Sequence, residues 1–373
     1  MKIAHVGPAN LPILFPRGGA IERRIVSMAS VQAVLGHEVT VFSAEPSTGA
    51  SLHRGFRLQA LACSRRGLLR TLEFLSKVGR IVRREPFDLI HFHSMPEGIW
   101  FTRKSGATRI LSYDFFRLRR WEHRPLYDLY RRTLQSYDWL LPVSEFCKTT
   151  SQEFWRFKGD TMRVLHNGVD LDQFWPNRPA GAAMRKRLGL SQAHVVLYVG
   201  RVCEQKGTDV LLDAYDLLRR RMPDVQLVIA GPVEHFGAGG TSPLVRRIAE
   251  VGGSYLGAVE EADLGAIYNM ATVYVMATRR DEMFGMAALE AQACGKPVVC
   301  SNQGGLPEVI PLTSGMHFSV GDAQQLATHL ARLLENPVLC QQLAETAVAN
   351  ARRFSWPNIV AQCFGIVANR NRR

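Results

Sequence analysis

The sequence predicts an α/β protein of two doubly wound, parallel-sheet domains in tandem. Three observations carry this expectation. The chain of 373 residues is longer than one ordinary core. Short apolar runs alternate with helix-length segments, which implies parallel strands covered on both faces. The rhythm stops near Pro176 and then starts afresh.

In the first half, "IAHVG" is the first strand, "PRGGAIERRIVSMASVQAVLG" a loop and helix, and "HEVTVFSA" the second strand. "FDLIHFHS", "RILSYD" and "WLLPVS" are the later strands. "RVLHNGVDLDQFWP" begins as a strand and dissolves into a turn, which marks the domain boundary. The rhythm resumes with "HVVLYVGR", the loop and helix "EQKGTDVLLDAYDLLRRR", and "VQLVIAG". "GSYLGAV" is then a strand, "EEADLGAIYNMA" a helix and "ATVYVMA" a buried strand. Beyond it, "TRRDEMFGMAALEAQACGKPVVC" carries a loop and a helix, which Gly295 and Pro297 stop before the next strand. The expected domains are residues 1–175 and 176–354. The remaining segment, 355–373, is expected to be a helix packing back toward the first domain.

Composition excludes several classes. No apolar run approaches the roughly 18–20 residues that span a bilayer, and the immediate entry into a strand leaves no room for a signal peptide. The seven cysteines form no C-x-x-C pair, so neither a disulfide framework nor a zinc ribbon is indicated. The expected place is the cytoplasm, with a peripheral position at the inner membrane face. Of the net charge of +13, residues 1–175 hold +10 (26 Lys/Arg against 16 Asp/Glu). The excess sits mainly in "SRRGLLRTLEFLSKVGRIVRRE" and "RLRRWEHRPLYDLYRR". Solvated helix faces explain such runs, as does an anionic membrane surface or a phosphorylated acceptor. No recognition motif for nucleic acid accompanies them.

Neither a G-x-G-x-x-G fingerprint after the first strand nor a Walker A sequence occurs, so nicotinamide and P-loop chemistry are not expected. Phosphate has other candidate sites. Gly18 and Gly19 precede a helix whose N–H groups can meet an anion. Arg201 and Lys206 follow the first strand of the second domain, where a planar fork and a point charge suit a diphosphate. Glu282 and Glu290 lie eight positions apart across the start of a helix, at the carboxyl end of a strand where open sheets bind ligands. Asp170 and Asp172 form a D-x-D in the linker, a weak metal motif. His91 and His93 share one face of a strand, but no further clustered ligand completes a metal site, and a polar strand end facing the cleft is the expectation.

Five segments together carry a resemblance: "GGAIE", "VSEF", "HNGVDLDQF", "VGRVCEQKG" and "DEMFGMAALEAQACGKPVV". In this order and spacing the chain resembles the retaining nucleotide-sugar glycosyltransferases of family 4, with the GT-B fold of two Rossmann-like domains facing a cleft. The resemblance implies an enzyme moving a sugar from a nucleoside diphosphate to an acceptor hydroxyl, with retention and with neither metal nor cofactor beyond the donor. It implies that Arg201 and Lys206 bind the donor diphosphate and stabilise it as leaving group. Glu282 would hold sugar hydroxyls, with backbone N–H groups of Phe284, Gly285 and Met286 on sugar and phosphate. Glu290 would hold the ribose, and Gly19 would lie against the diphosphate. Many relatives place a histidine where Tyr113 stands, followed here by Asp114; the expectation is an altered sugar pocket. Tyr113, Asp114, His91 and His93 are lower-ranked cleft candidates. A hydrolase or epimerase on the same scaffold and a catalytically idle adaptor are the alternatives. The acceptor, whether small molecule, lipid or glycan, is not readable.

Overall fold

The computed structural model describes residues 1–10, 12–13, 19–103, 105–114, 127–157, 160–191, 194–233 and 242–369. The chain divides into two compact units, Met1–Gly168 with Trp356–Arg373, and Val169–Ser355. The passage between them falls at Gly168, earlier than Pro176, because Val169 already pairs with Ser355 in a β-bridge.

The first unit is built on seven strands: β1 (Lys2–Val6), β2 (Glu38–Glu45), β3 (Gly49–His53), β4 (Phe56–Ala62), β5 (Leu89–His93), β6 (Thr108–Tyr113) and β7 (Trp139–Pro142). Their order is β3-β4-β2-β1-β5-β6-β7, parallel except for β3, which runs antiparallel to β4 at the edge. Alternation sends neighbouring residues to opposite faces. Ala4, Phe42, Phe92 and Tyr113 enter one apolar layer with Phe74 and Trp155. Ile3, Val41, Leu89 and Ile110 enter the other, with Ile25 and Met28 of helix Ala20–Val34. The terminal helix, Trp356–Ala368, closes this second layer through Trp356, Ile359 and Val360.

The second unit holds β8 (His194–Val199), β9 (Val225–Ala230), β10 (Ser254–Tyr255), β11 (Val273–Met276), β12 (Val298–Ser301) and β13 (Gly315–Phe318). Their order is β10-β9-β8-β11-β12-β13, and every pairing is parallel. Strands β11 and β12 are buried along their whole length, as continuous apolar runs in a doubly covered sheet should be. Helices Thr208–Arg221 and Ala323–Leu334 cover one face.

Three expectations change. The β3–β4 hairpin is not foreseen, because its edge strand is mostly exposed and carries no apolar alternation. "GSYLGAV" shrinks to the two residues of β10. "RVLHNG" forms no strand; Met162 just before it makes one isolated bridge to Leu140.

Candidate functional site

Both units reverse strand order beside their first strand, and a ligand crevice belongs at the carboxyl ends of strands at such a point. In the second unit the chain winds from β8 to β9 and β10, then returns to β11 on the other side of β8. The loops after β8 and β11 therefore lie side by side. The β8 loop passes Gly200 and Arg201, makes a 3-10 turn at Glu204–Lys206, and enters helix Thr208–Arg221 through Gly207. Gly207 has a φ of 70°, and a Cβ there would overlap the Ala277 carbonyl. Only glycine lets the two loops approach so closely.

Lys206 and Glu282 make an ion pair between these loops, both half-buried. The pair spans the switch point. Arg279 N donates to the Gln205 carbonyl at 3.1 Å, and the Thr278 hydroxyl donates to the same carbonyl at 3.2 Å. The Arg279 guanidinium pairs with Asp209. Glu282 is fixed from behind, where its carbonyl accepts from Gly305 N at 2.7 Å. Arg201 is exposed in the same β8 loop, its carbonyl held by the Tyr198 hydroxyl at 2.7 Å. Burial raises the Tyr198 phenol above its ordinary range, so it stays a neutral donor.

Helix Met286–Ala293 begins at Gly285, which has a φ of 94° and no side-chain cap on the helix. A Cβ on Gly285 would lie 2.5 Å from Leu306 Cδ2. The first N–H groups of this helix thus open at the switch point, where its dipole favours an anion. Phe284 is buried edge-on to Phe354, and Met286 is half-buried. Glu290 lies one turn into the helix and is only 3% exposed. The Tyr268 hydroxyl donates to its Oε2 at 2.7 Å. Burial also raises the Tyr274 phenol, with Glu290 and Glu282 adding to the rise.

Asp170 acts as a turn cap, its Oδ1 accepting from Asp172 N at 2.9 Å and Gln173 N at 3.3 Å. The D-x-D spacing reflects that turn, with the Asp170 carboxylate aimed at the backbone.

The first unit fills its switch point, between β1 and β5, in another way. His5 on β1 stands beside His91 on β5, and His5, His91 and His93 are all fully buried. This corrects the expectation that the histidines of β5 face a cleft. They point into the layer under helix Ala20–Val34, where Gln32 Oε1 accepts from His5 Nε2 at 2.7 Å. That bond leaves the His5 Nδ1 lone pair to accept from His93 Nε2 at 2.9 Å. His91 Nε2 contacts the Ser112 hydroxyl at 2.7 Å. Among the described residues this is the one group of three metal-type ligands. The rings stack, at 28° between His91 and His93 and 25° between His5 and His93. The ligand nitrogens of the three lie within 4.8 Å of one another, so His5 supplies the third ring that the spacing on β5 alone does not show. Burial lowers the His5 pKa to about 4 and puts His91 and His93 well below the usual histidine range.

Tyr113 also departs from expectation. It is 2% exposed and lies on the opposite face of β6 from Ser112, with its hydroxyl toward Met162 Sδ at 3.8 Å. Strand alternation sends it into the core of the first unit. Asp114, just past the strand, is 34% exposed and faces Arg24 at 3.7 Å. Gly19 takes extended backbone at the start of helix Ala20–Val34 and accepts from Arg23 N at 3.2 Å. Gly18 lies outside the described residues.

Residues 18–173 match the family described as Glycosyltransferase Family 4, and residues 182–353 match Glycosyl transferases group 1. The chain belongs to the family 4-type GT-B glycosyltransferases. This glycosyltransferase is 28% identical over 330 residues to spore coat protein SA of Bacillus subtilis, covering 83% of each chain. It is also 28% identical over 344 residues to a GDP-mannose-dependent alpha-(1-6)-phosphatidylinositol monomannoside mannosyltransferase of Mycolicibacterium smegmatis, covering 86% of this chain and 87% of that one. Its fold matches the Anabaena protein HepE, solved in complex with UDP, with a TM-score of 0.81, 18% identity and 99% and 100% of the two chains covered.

Sequence reasoning missed three residues of the candidate site. Tyr268 sits on a separate helix, Glu261–Met270, and no motif joins it to Glu290. Asp209 and Arg279 are 70 residues apart, and only the adjacency of β8 and β11 brings them together.

Proposed function

We propose that this glycosyltransferase takes its sugar from a nucleoside-diphosphate donor held at the β8/β11 switch point. Transfer goes to an acceptor hydroxyl with retention and without a metal. The observation that carries the reading is the Lys206–Glu282 ion pair across that point, beside exposed Arg201 and the open start of helix Met286–Ala293. When the donor enters, its diphosphate draws Lys206 and Arg201, and Glu282 turns to sugar hydroxyls. Glu290 accepts from the ribose hydroxyls in this reading, with Tyr268 fixing the orientation of its carboxylate. HepE in complex with UDP and the GDP-mannose dependence of the mannosyltransferase relative support a diphosphate of this kind.

As the bond between the anomeric carbon and the diphosphate oxygen breaks, negative charge grows on that oxygen. The two cations and the helix N–H groups stabilise this charge more than the ground state, which is the condition for catalysis. The acceptor oxygen bonds the anomeric carbon from the face the diphosphate leaves. The departing diphosphate takes the acceptor proton, so no side-chain base is required and configuration is retained.

The test is a screen of nucleotide sugars for release of free diphosphate, with and without acceptor alcohols, in the presence of a chelator. Acceptor-dependent release of one diphosphate that survives chelation, with product of unchanged anomeric configuration, is expected. Loss of activity on chelation, product of inverted configuration, or release that ignores every acceptor would overturn the corresponding part.

A further inference from the structure

We propose that helix Gly67–Arg84 is a docking element for an anionic phospholipid surface, contacted through Leu68, Leu69 and the arginines around them. The helix follows β4 and packs on the first unit through Phe74, Leu75, Val78, Gly79 and Val82. Its first turn projects beyond that core. Leu68 is 63% exposed and Leu69 55% exposed, two adjacent leucines that no element among the described residues covers. A soluble surface tolerates single exposed leucines, but a leucine pair ringed by cations has the composition of an interfacial anchor.

The cations divide into two sets. Arg70 and Lys77 are engaged by the fold: Arg70 donates to the carbonyls of Ala9, Cys63 and Ala44, and Lys77 binds Glu73 and the Ala62 carbonyl. Arg65, Arg66, Arg80, Arg83 and Arg84 are exposed. At about 100° per residue, Leu69, Arg80 and Arg84 fall on the face opposite Val78 and Val82. Glu73, the single acid of the helix, is consumed by Lys77 and by the backbone N–H groups of Ser64 and Arg65. The outward face therefore carries positive charge with two leucines at its tip. Anionic headgroups complement both features, since basic residues gain from the negative surface potential and leucines gain from leaving water.

Topology gives the surface a use. Strand β4 runs parallel to β2, so the start of this helix lies at the carboxyl end of the sheet, as does Gly19 after β1. A membrane bound there would meet the ligand end of the first unit. That placement suits an acceptor carried on lipid, and so deepens the transferase reading, although vesicle binding is independent of it.

The experiment is co-sedimentation of the full chain with vesicles of phosphatidylcholine alone and of phosphatidylcholine with phosphatidylglycerol, at low and high salt, without donor or acceptor. Binding is expected only with phosphatidylglycerol, and weakening as salt rises. Leu68→Ser/Leu69→Ser and Arg65→Gln/Arg66→Gln should each lower partitioning by about tenfold or more. Val338→Ser, an exposed apolar residue of the second unit, should leave it unchanged. Wild-type binding that neither double variant alters, or no binding to anionic vesicles, would overturn the proposal. Capture of an acidic protein without vesicle binding would do so too. Calorimetric binding of nucleoside diphosphate to the same variants verifies their folding and tests the transferase reading separately.

Discussion

The two switch points share a topology and differ in chemistry. Between β8 and β11 the crevice keeps its charges near water: Arg201, the Lys206–Glu282 pair and an uncapped helix start. Between β1 and β5 the same geometric position is packed with three neutral imidazoles, tied to Gln32 and Ser112. Parallel winding creates a place for a ligand. The side chains that line it determine whether the place is used or filled. In this chain the second unit keeps charged groups at its switch point and the first builds a polar core layer, leaving Asp114 and Gly19 at its rim.

The comparison breaks first at Lys206. Replacement by Ala should lower turnover by about 10²- to 10³-fold, since a leaving-group contact strengthens only in the transition state. Equal turnover in steady-state assays would remove the diphosphate role. Gly207→Ala should cost about 3 kcal/mol or more, because the new methyl meets the Ala277 carbonyl at a positive φ; urea melts of the variant measure it.

The imidazole layer should show itself in acid. The folded-state pKa of His5 lies below its ordinary 6.5, at about 4, so the unfolded chain binds the proton more readily. Its stabilising contribution is whole above about pH 6.5 and disappears as pH falls toward 4. The loss for this residue alone is about 3 kcal/mol, and His91 and His93 act in the same direction. Thermal melts from pH 8 to 4 should therefore fall steeply below 6.5, and His5→Gln should flatten the curve. Protonation at ordinary histidine values by NMR would contradict the buried layer.

The smallest effects belong to the ribose end. Glu290→Ala should weaken nucleotide binding by about tenfold, while Glu282→Ala should also cut turnover. Tyr268→Phe should cost only about threefold, the share of one hydrogen bond that orients a carboxylate. Calorimetry and kinetics on the three variants separate these roles, and identical profiles would merge them.

The strand–helix rhythm, the restart in the second half and the loop positions of Arg201, Lys206 and Glu282 were all legible in the sequence. Each is local: a period, a glycine, an acid after an apolar run. What escaped was set by long-range pairing. Tyr268 reaches Glu290 from another helix, and Asp209 meets Arg279 only because β8 and β11 are neighbours. The histidines of β5 share a face, as their spacing says, but spacing cannot tell a covered face from an open one. That took helix Ala20–Val34 and its Gln32. Tyr113 was read at the end of its strand as a cleft candidate, and its side chain lies in the core. One residue of register separates Ser112, beside the imidazoles, from Tyr113 in the opposite layer.

The most direct measurement is titration calorimetry of a panel of nucleoside diphosphates against the wild type, Arg201→Ala and Lys206→Ala. The account predicts that one diphosphate binds the wild type at micromolar strength, and that each substitution weakens it by about tenfold or more. Affinity unchanged by both substitutions would contradict a donor site between β8 and β11.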